Sequence, residues 1–275
     1  MLDDERRRRV RGPLRRRLTD APGTATRCEF QTLPPAAGVF YVGVTNGGVH
    51  VTSALFVVSE EGYWAEECIE PLTTLEADGI DVTVATPSGS PPVVDERSLE
   101  PDAAGGEDVA AEYREIDADH PGLTDPEPIA AVEAAAHDAV VFPGGHGTVW
   151  DVNQDRHARQ LLLDAVAGDD GVALVVCHAV GILAFTREAD GTPLVEGRAV
   201  TGFPNDWEEG IVDGNDVVPD GRKLPYWVED EVRLAGAEWD AELDADESVT
   251  VDGDLITARG PGSSATAAAT LLAEL

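Results

Sequence analysis

The chain has 275 residues, with 53 acids against 19 bases and a net charge of −34. That balance argues against DNA, RNA and anionic membranes as partners, and no apolar run reaches bilayer-spanning length. With 43 % apolar residues and clear periodic segments, the chain reads as folded.

Lys223 is the only lysine. Such acidity fits a cytoplasmic protein from an organism with a salty interior, where carboxylate repulsion is screened; the plainer alternative is an ordinary acidic protein. Cys28, Cys68 and Cys177 are odd in number and widely spaced. They suggest reduced thiols and not a disulfide framework, and no pair has zinc-ligand spacing.

Residues 1–50 are basic, with nine arginines against five acids. They read as a disordered extension. A nucleic-acid-binding arm is a second reading, and a true start near Val51 a third. Residues 51–275 form the expected single domain. Residues 53–58 predict a first strand, 66–78 a helix stopped by Gly79, and 81–86 a second strand. The polar stretch 90–127 is too long for a simple connection and is expected to border a site. Residues 128–136 predict a short helix and 138–142 a third strand, which runs into Pro143-Gly-Gly-His-Gly147.

A helix is expected over 156–167, then the apolar run 172–176, which has the length of a strand buried on both faces. It ends on Cys177 and His178, at the carboxyl end of the sheet, where open α/β folds bind ligands. The following helix is expected to favour the thiolate. Further on, 198–203 predicts a strand, 225–234 an amphipathic helix, 247–257 a hairpin turning at Asp252-Gly253, and 263–274 a closing helix. Alternating strands and helices give a mostly parallel, doubly wound, flavodoxin-like α/β sheet with insertions.

The Pro143-Gly-Gly loop lets backbone N–H groups approach a bound oxygen. The N–H groups of Gly145 and His178 make a candidate oxyanion hole, with Gly144 beside them. His146 either lines the pocket or bonds the loop. Glu67 stands at a helix start near the same end of the sheet. Cys68 and His120 are expected to be structural or exposed.

Three motifs occur together: Glu67-x-x-x-Pro71, Pro143-Gly-Gly-His-Gly-x-x-Trp-Asp151 and Val-Cys177-His178-Ala. They resemble the ThiJ/PfpI (DJ) superfamily, a branch of the class I glutamine amidotransferase-like fold. The stretches Val200-Thr-Gly-Phe-Pro-Asn-Asp-Trp-Glu-Glu209, Leu224-Pro-Tyr-Trp-Val-Glu-Asp-Glu and Val251-Asp-Gly-x-Leu-Ile-Thr are similar to its heat-shock, glyoxalase III-like branch. The resemblance covers about residues 52–275.

It implies a glutathione-independent glyoxalase acting on a small-molecule aldehyde, methylglyoxal, with no cofactor and no metal, as a homodimer. Cys177 would be the nucleophile, Glu67 and His178 the proton-transfer groups, and Glu208 the carboxylate orienting His178, with Glu209 competing for that place. An intracellular cysteine peptidase, amidase or deglycase is an alternative that uses the same cysteine. A holdase or a redox sensor is a further one.

Overall fold

The computed structural model describes residues 44–45, 48–49, 51–168, 171–240 and 248–275. The described residues all fall in one unit, Gly38–Leu275. Within 1–50, Val44–Thr45 pairs antiparallel with Gly48–Val49. The rest of that basic segment, with the expectations of disorder, an arm or a later start, lies outside the described residues. So does Cys28.

The centre is a seven-stranded sheet. In chain order its strands are β1 (Ser53–Val57), β2 (Asp81–Thr86), β3 (Glu127–Pro128), β4 (Ala139–Phe142), β5 (Val172–Val176), β6 (Val249–Asp252) and β7 (Leu255–Ala258). Their spatial order is β6-β7-β5-β4-β1-β2-β3. All neighbours are parallel except β6 and β7, the expected hairpin. The five residues of β5 show why the sequence reads as a central strand: Ala173, Leu174, Val175 and Val176 are fully buried, in contact with helices on both faces.

The main helices are α1 (Ala65–Ala77), α2 (Glu107–Asp119), α3 (Arg156–Ala167), α4 (Val228–Leu234) and α5 (Ser264–Glu274). Leu161, Leu162, Ala165 and Val166 of α3 pack under one face of the sheet. Cys68, Leu72 and Leu75 of α1 pack on the other with Ala267 and Leu271 of α5. The result is a doubly wound, flavodoxin-like α/β layer. No described helix is long and apolar enough to cross a membrane.

Three segments differ from expectation. The excursion between β2 and β3, a polar stretch in which the sequence marked no element, contains α2. Of that helix only Ala110 and Tyr113 are buried, so it lacks the apolar stripe that announces a helix. Residues 128–136 form two short 3₁₀ turns, Ile129–Ala131 and Ala134–Ala136, and no α-helix. The strand expected over 198–203 shrinks to Ala199–Val200, which pairs with Glu238–Trp239 outside the main sheet. Beyond it the backbone turns inward, and the Phe203 N–H reaches the Cys177 carbonyl at 3.4 Å.

Candidate active site

The site lies at the carboxyl ends of β1, β4 and β5, where each strand is stopped by a tight turn. After β5 the chain enters the 3₁₀ turn Cys177–Val180. Cys177 has φ 57°, one of two non-glycine residues in the left-handed region among those described. Such a backbone is held in place by its surroundings and lifts the side chain out of the strand line. The thiol is 3 % exposed.

The sequence-based expectation of a stabilised thiolate is not met. Burial, and then the carboxyl of Glu67, push the Cys177 thiol well above its ordinary value. The N–H groups of Gly145 and His178 pull it down, and lose. The helix that follows, Gly181–Phe185, is too short to reverse this.

Glu67 sits in the first turn of α1, fully buried. Neither of its carboxyl oxygens has a hydrogen-bond partner within the protein. Burial raises its pKa to about 8, partly offset by the Cys177 thiol beside it. Gly144 separates the two groups. A Cβ there would lie 2.4 Å from Glu67 Oε2, 2.5 Å from Cys177 Cβ and 2.7 Å from the Val176 carbonyl oxygen. Gly144→Ala is therefore expected to cost about 1–3 kcal/mol of stability, as overpacking does in a tight core, and to slow Cys177 alkylation. Urea unfolding and iodoacetamide labelling read both effects; wild-type values for the two would contradict this packing.

Gly145, φ 107°, takes a conformation open to glycine. A side chain at that position would meet the Trp64 nitrogen at 2.5 Å. The Trp64 N–H donates to the Gly144 carbonyl at 3.1 Å, tying the loop to the start of α1. Asp151 clamps the same region from below, accepting from Ser59 Oγ at 2.9 Å and the Glu60 N–H at 2.8 Å.

His178 joins thiol and carboxylate. Its Nδ1 is 3.2 Å from Cys177 Sγ and its Nε2 is 2.8 Å from Glu208 Oε2. Phe203 stacks on its ring at 4.2 Å between centroids. Glu208 closes the short helix Asn205–Glu208 and is 2 % exposed. Its neighbour Glu209 points to solvent, so the helix itself separates the two candidates. Burial pushes the Glu208 carboxyl up, but hydrogen bonds from His146 and His178 outweigh it and hold the group at about 2. For His178, burial and then nearby His146 lower the value to about 4 against the pull of Glu208. At neutral pH the pair is thus a carboxylate and a neutral imidazole.

Of the two places open to His146 it takes the pocket, and its side-chain bonds go to Glu208 and Arg97 and not to its own loop. It bonds Glu208 Oε1 through Nε2 at 3.0 Å. Its Nδ1 is 3.2 Å from a guanidinium nitrogen of Arg97, which also pairs with Asp95. His146, His178 and Glu208 have ligand atoms close enough to hold a metal ion. Arg97 opposes that use. A metal on His146 Nε2 would leave the proton on Nδ1, facing a donor that has no acceptor.

The pocket above these groups measures about 540 Å³ and is walled by Trp64, Phe203, Trp207 and Ile211. Trp64 Nε1 is buried there without a partner. Cys68 is absent from this pocket and faces the core from α1; His120 instead caps a turn through the Gly122 N–H at 3.2 Å. Arg97, Asp95 and the aromatic wall were not foreseen. Phe203 and Trp207 lie inside one of the resemblance motifs, whereas nothing in the polar stretch 90–127 singles out Arg97.

A model of the DJ-1/PfpI family matches residues 52–224. The chain is 30 % identical over 210 residues to the protein named glutathione-independent glyoxalase HSP31 of Saccharomyces cerevisiae, covering 74 % of this chain and 85 % of that one. It is 28 % identical over 211 residues to the same yeast's probable glutathione-independent glyoxalase HSP32, covering 75 % and 86 %. Among solved structures, the Rapid Encystment Protein 24 KDa of Francisella tularensis superposes with a TM-score of 0.69 at 24 % identity, over 82 % of this chain and 99 % of that one. Glyoxalase III of Candida albicans gives 0.65 at 19 % identity, over 82 % and 97 %. At such identities the two structures speak for the fold.

Proposed function

The chain belongs to the DJ-1/PfpI family, and from that membership we propose a glutathione-independent glyoxalase of the glyoxalase III type, converting methylglyoxal to lactate. The observation that carries the reading is a buried, unpartnered carboxyl beside a buried thiol whose other neighbour is a carboxylate-held imidazole. A soft nucleophile suits an aldehyde carbon, and two separate proton carriers suit hydrogen transfer between adjacent carbons.

The Cys177 sulfur bonds to the aldehyde carbon while its proton passes to His178 Nδ1. The aldehyde oxygen, held by the N–H groups of Gly145 and His178, takes a proton from Glu67 and becomes the hemithioacetal hydroxyl. Glu67, now a carboxylate, removes the hydrogen from that carbon, and His178 protonates the neighbouring carbonyl oxygen. The product is an enediol. Glu67 then delivers its proton to the second carbon, and His178 takes the hydroxyl proton at the first. This leaves a lactoyl thioester on Cys177. Water cleaves the thioester to lactate and the free thiol, and the proton on His178 returns to Glu67. Its raised pKa suits Glu67 to both halves, since it starts protonated and is a strong base once ionised.

The substrate is a small aldehyde and no partner macromolecule takes part in the chemistry. The family resemblance makes a homodimer in a cytoplasm the expected setting. The test is lactate formation from methylglyoxal without glutathione, in high KCl to screen the charge of −34. Stoichiometric lactate is the expected result. A folded wild type that consumes no methylglyoxal overturns the reading.

A further inference from the structure

Beyond the nucleophile and its immediate partners, a chain of polar contacts leads away from Cys177 to the excursion between β2 and β3. From the sulfur outward it runs through His178, Glu208 and His146 to Arg97 and Asp95. Each link constrains the next. A guanidinium has five N–H donors and no acceptor. Arg97 therefore makes His146 Nδ1 an acceptor, and a neutral His146 must carry its proton on Nε2. That N–H donates to Glu208 Oε1. Glu208, acceptor-only as a carboxylate, takes a second donor from His178 Nε2 at its other oxygen. His178 is left with an unprotonated Nδ1, the atom 3.2 Å from the Cys177 sulfur.

We propose that Arg97 is a positioning residue that sets the tautomer of His146, so that His146 donates to Glu208 and steadies the carboxylate that holds His178 with its Nδ1 lone pair toward the Cys177 thiol. Arg97 does not touch the thiol and does not itself line the pocket; it stands behind two of the lining residues, His146 and Trp64, with its guanidinium 6.0 Å from the Trp64 ring centroid. Its place is fixed from the far side, by two contacts with Asp95. Asp95 also caps the 3₁₀ turn Glu96–Leu99, and its N–H bonds the Tyr63 carbonyl at 2.8 Å beside the start of α1. The excursion is thereby anchored to the element that carries Glu67, and it delivers one cation to a buried cluster that otherwise holds carboxylates and imidazoles. Its charge acts in the same direction as its hydrogen bond, because a cation behind His146 disfavours imidazolium at His178. The other groups facing His178 are His146, Glu208 and Cys177; Phe203 is uncharged.

The role in catalysis rests on the glyoxalase reading, but the tautomers can be read without any substrate. Imidazole ¹⁵N NMR of the full-length protein, with the His146 signals assigned by their loss in His146→Gln, is expected to show Nε2–H on both histidines. In Arg97→Met, His146 is expected to lose that single tautomer. The second arm is the pH profile of kcat/KM. Arg97→Met is expected to lower the plateau about 10-fold, less than the roughly 10²–10⁴-fold of a proton-transfer group itself because Arg97 acts through His146, and to move the acid limb to higher pH. Arg97→Lys, which keeps a donor and a charge, restores the limb.

His146→Gln can accept from Arg97 and donate to Glu208, and is expected to fall less than His146→Leu. Circular dichroism establishes that each variant is folded. An Nδ1–H tautomer on either histidine of the wild type overturns the proposal. So does an Arg97→Met spectrum unchanged at His146, or equal losses in the two His146 variants. A wild type with the expected tautomers but no methylglyoxal turnover would sink the glyoxalase reading and leave the tautomer assignment standing.

Discussion

Replacing Cys177 with alanine lowers methylglyoxal turnover by at least about 10³-fold, the scale of removing a covalent nucleophile, with the fold intact. Alanine keeps the left-handed backbone at φ 57° at similar strain, and it removes a thiol whose hydrogen bond is to an adjacent side chain. Unfolding stability should therefore stay within about 1 kcal/mol of wild type. The other described cysteine cannot stand in. Cys68 is fully buried on the inner face of α1, and burial pushes its thiol far above the ordinary value. Steady-state lactate assays with urea unfolding on the same samples check both halves. Turnover within tenfold of wild type would remove Cys177 from the mechanism.

Glu67→Gln is expected to lose activity and gain stability. The loss should be about 10²–10⁴-fold, since an amide cannot carry the proton between the two carbons. The gain follows from burial. The Glu67 carboxyl titrates at about 8 in the folded protein, against an ordinary 4.5. Below 4.5 it is protonated in folded and unfolded chains alike. Between 4.5 and 8 the unfolded chain releases the proton while the folded one keeps it, so wild-type stability falls as pH rises through that window. Glutamine does not ionise. The variant should draw level near pH 4.5 and lead by on the order of 1–4 kcal/mol at pH 8 and above. Urea unfolding at three pH values measures the gap. A gap that does not widen with pH would show that Glu67 is not held protonated by the fold.

The sequence exposes the part of this site that lies on regular elements. Five apolar, mostly β-branched residues running into Cys177 have the length of a buried strand with a turn at its end, and Ala139–Phe142 running into Pro143-Gly144 has the same form. Glu208 is a different case. Side by side with Glu209 in an acidic chain, it is set apart by the resemblance, and spatially by a helix of four residues that turns one carboxyl inward and the other out. Arg97 is illegible from the sequence because its importance comes from what it faces. It lies in a polar stretch whose helix α2 buries only two side chains, and its partner His146 is 49 residues away. The strand expected over 198–203 misleads for a related reason. Ala199 and Val200 are extended, but they pair with Glu238 and Trp239 instead of the main sheet, which frees Phe203 to cover His178.

The position of β7 has a consequence for how the protein is made. The strand Leu255–Ala258 comes near the chain's end, yet it sits inside the sheet against β5, and Pro261 and Gly262 just after it reach the pocket. During synthesis the helices and the β1–β2 and β4–β5 pairings can form as they emerge. Until the last strand arrives, however, β5 has an open edge and the Cys177 turn lacks one wall. Parallel pairing across long sequence separations is slow. The nascent chain therefore passes through a stage with a nearly complete sheet and an unshielded thiol, and the site closes only once Leu255–Ala258 has paired with β5.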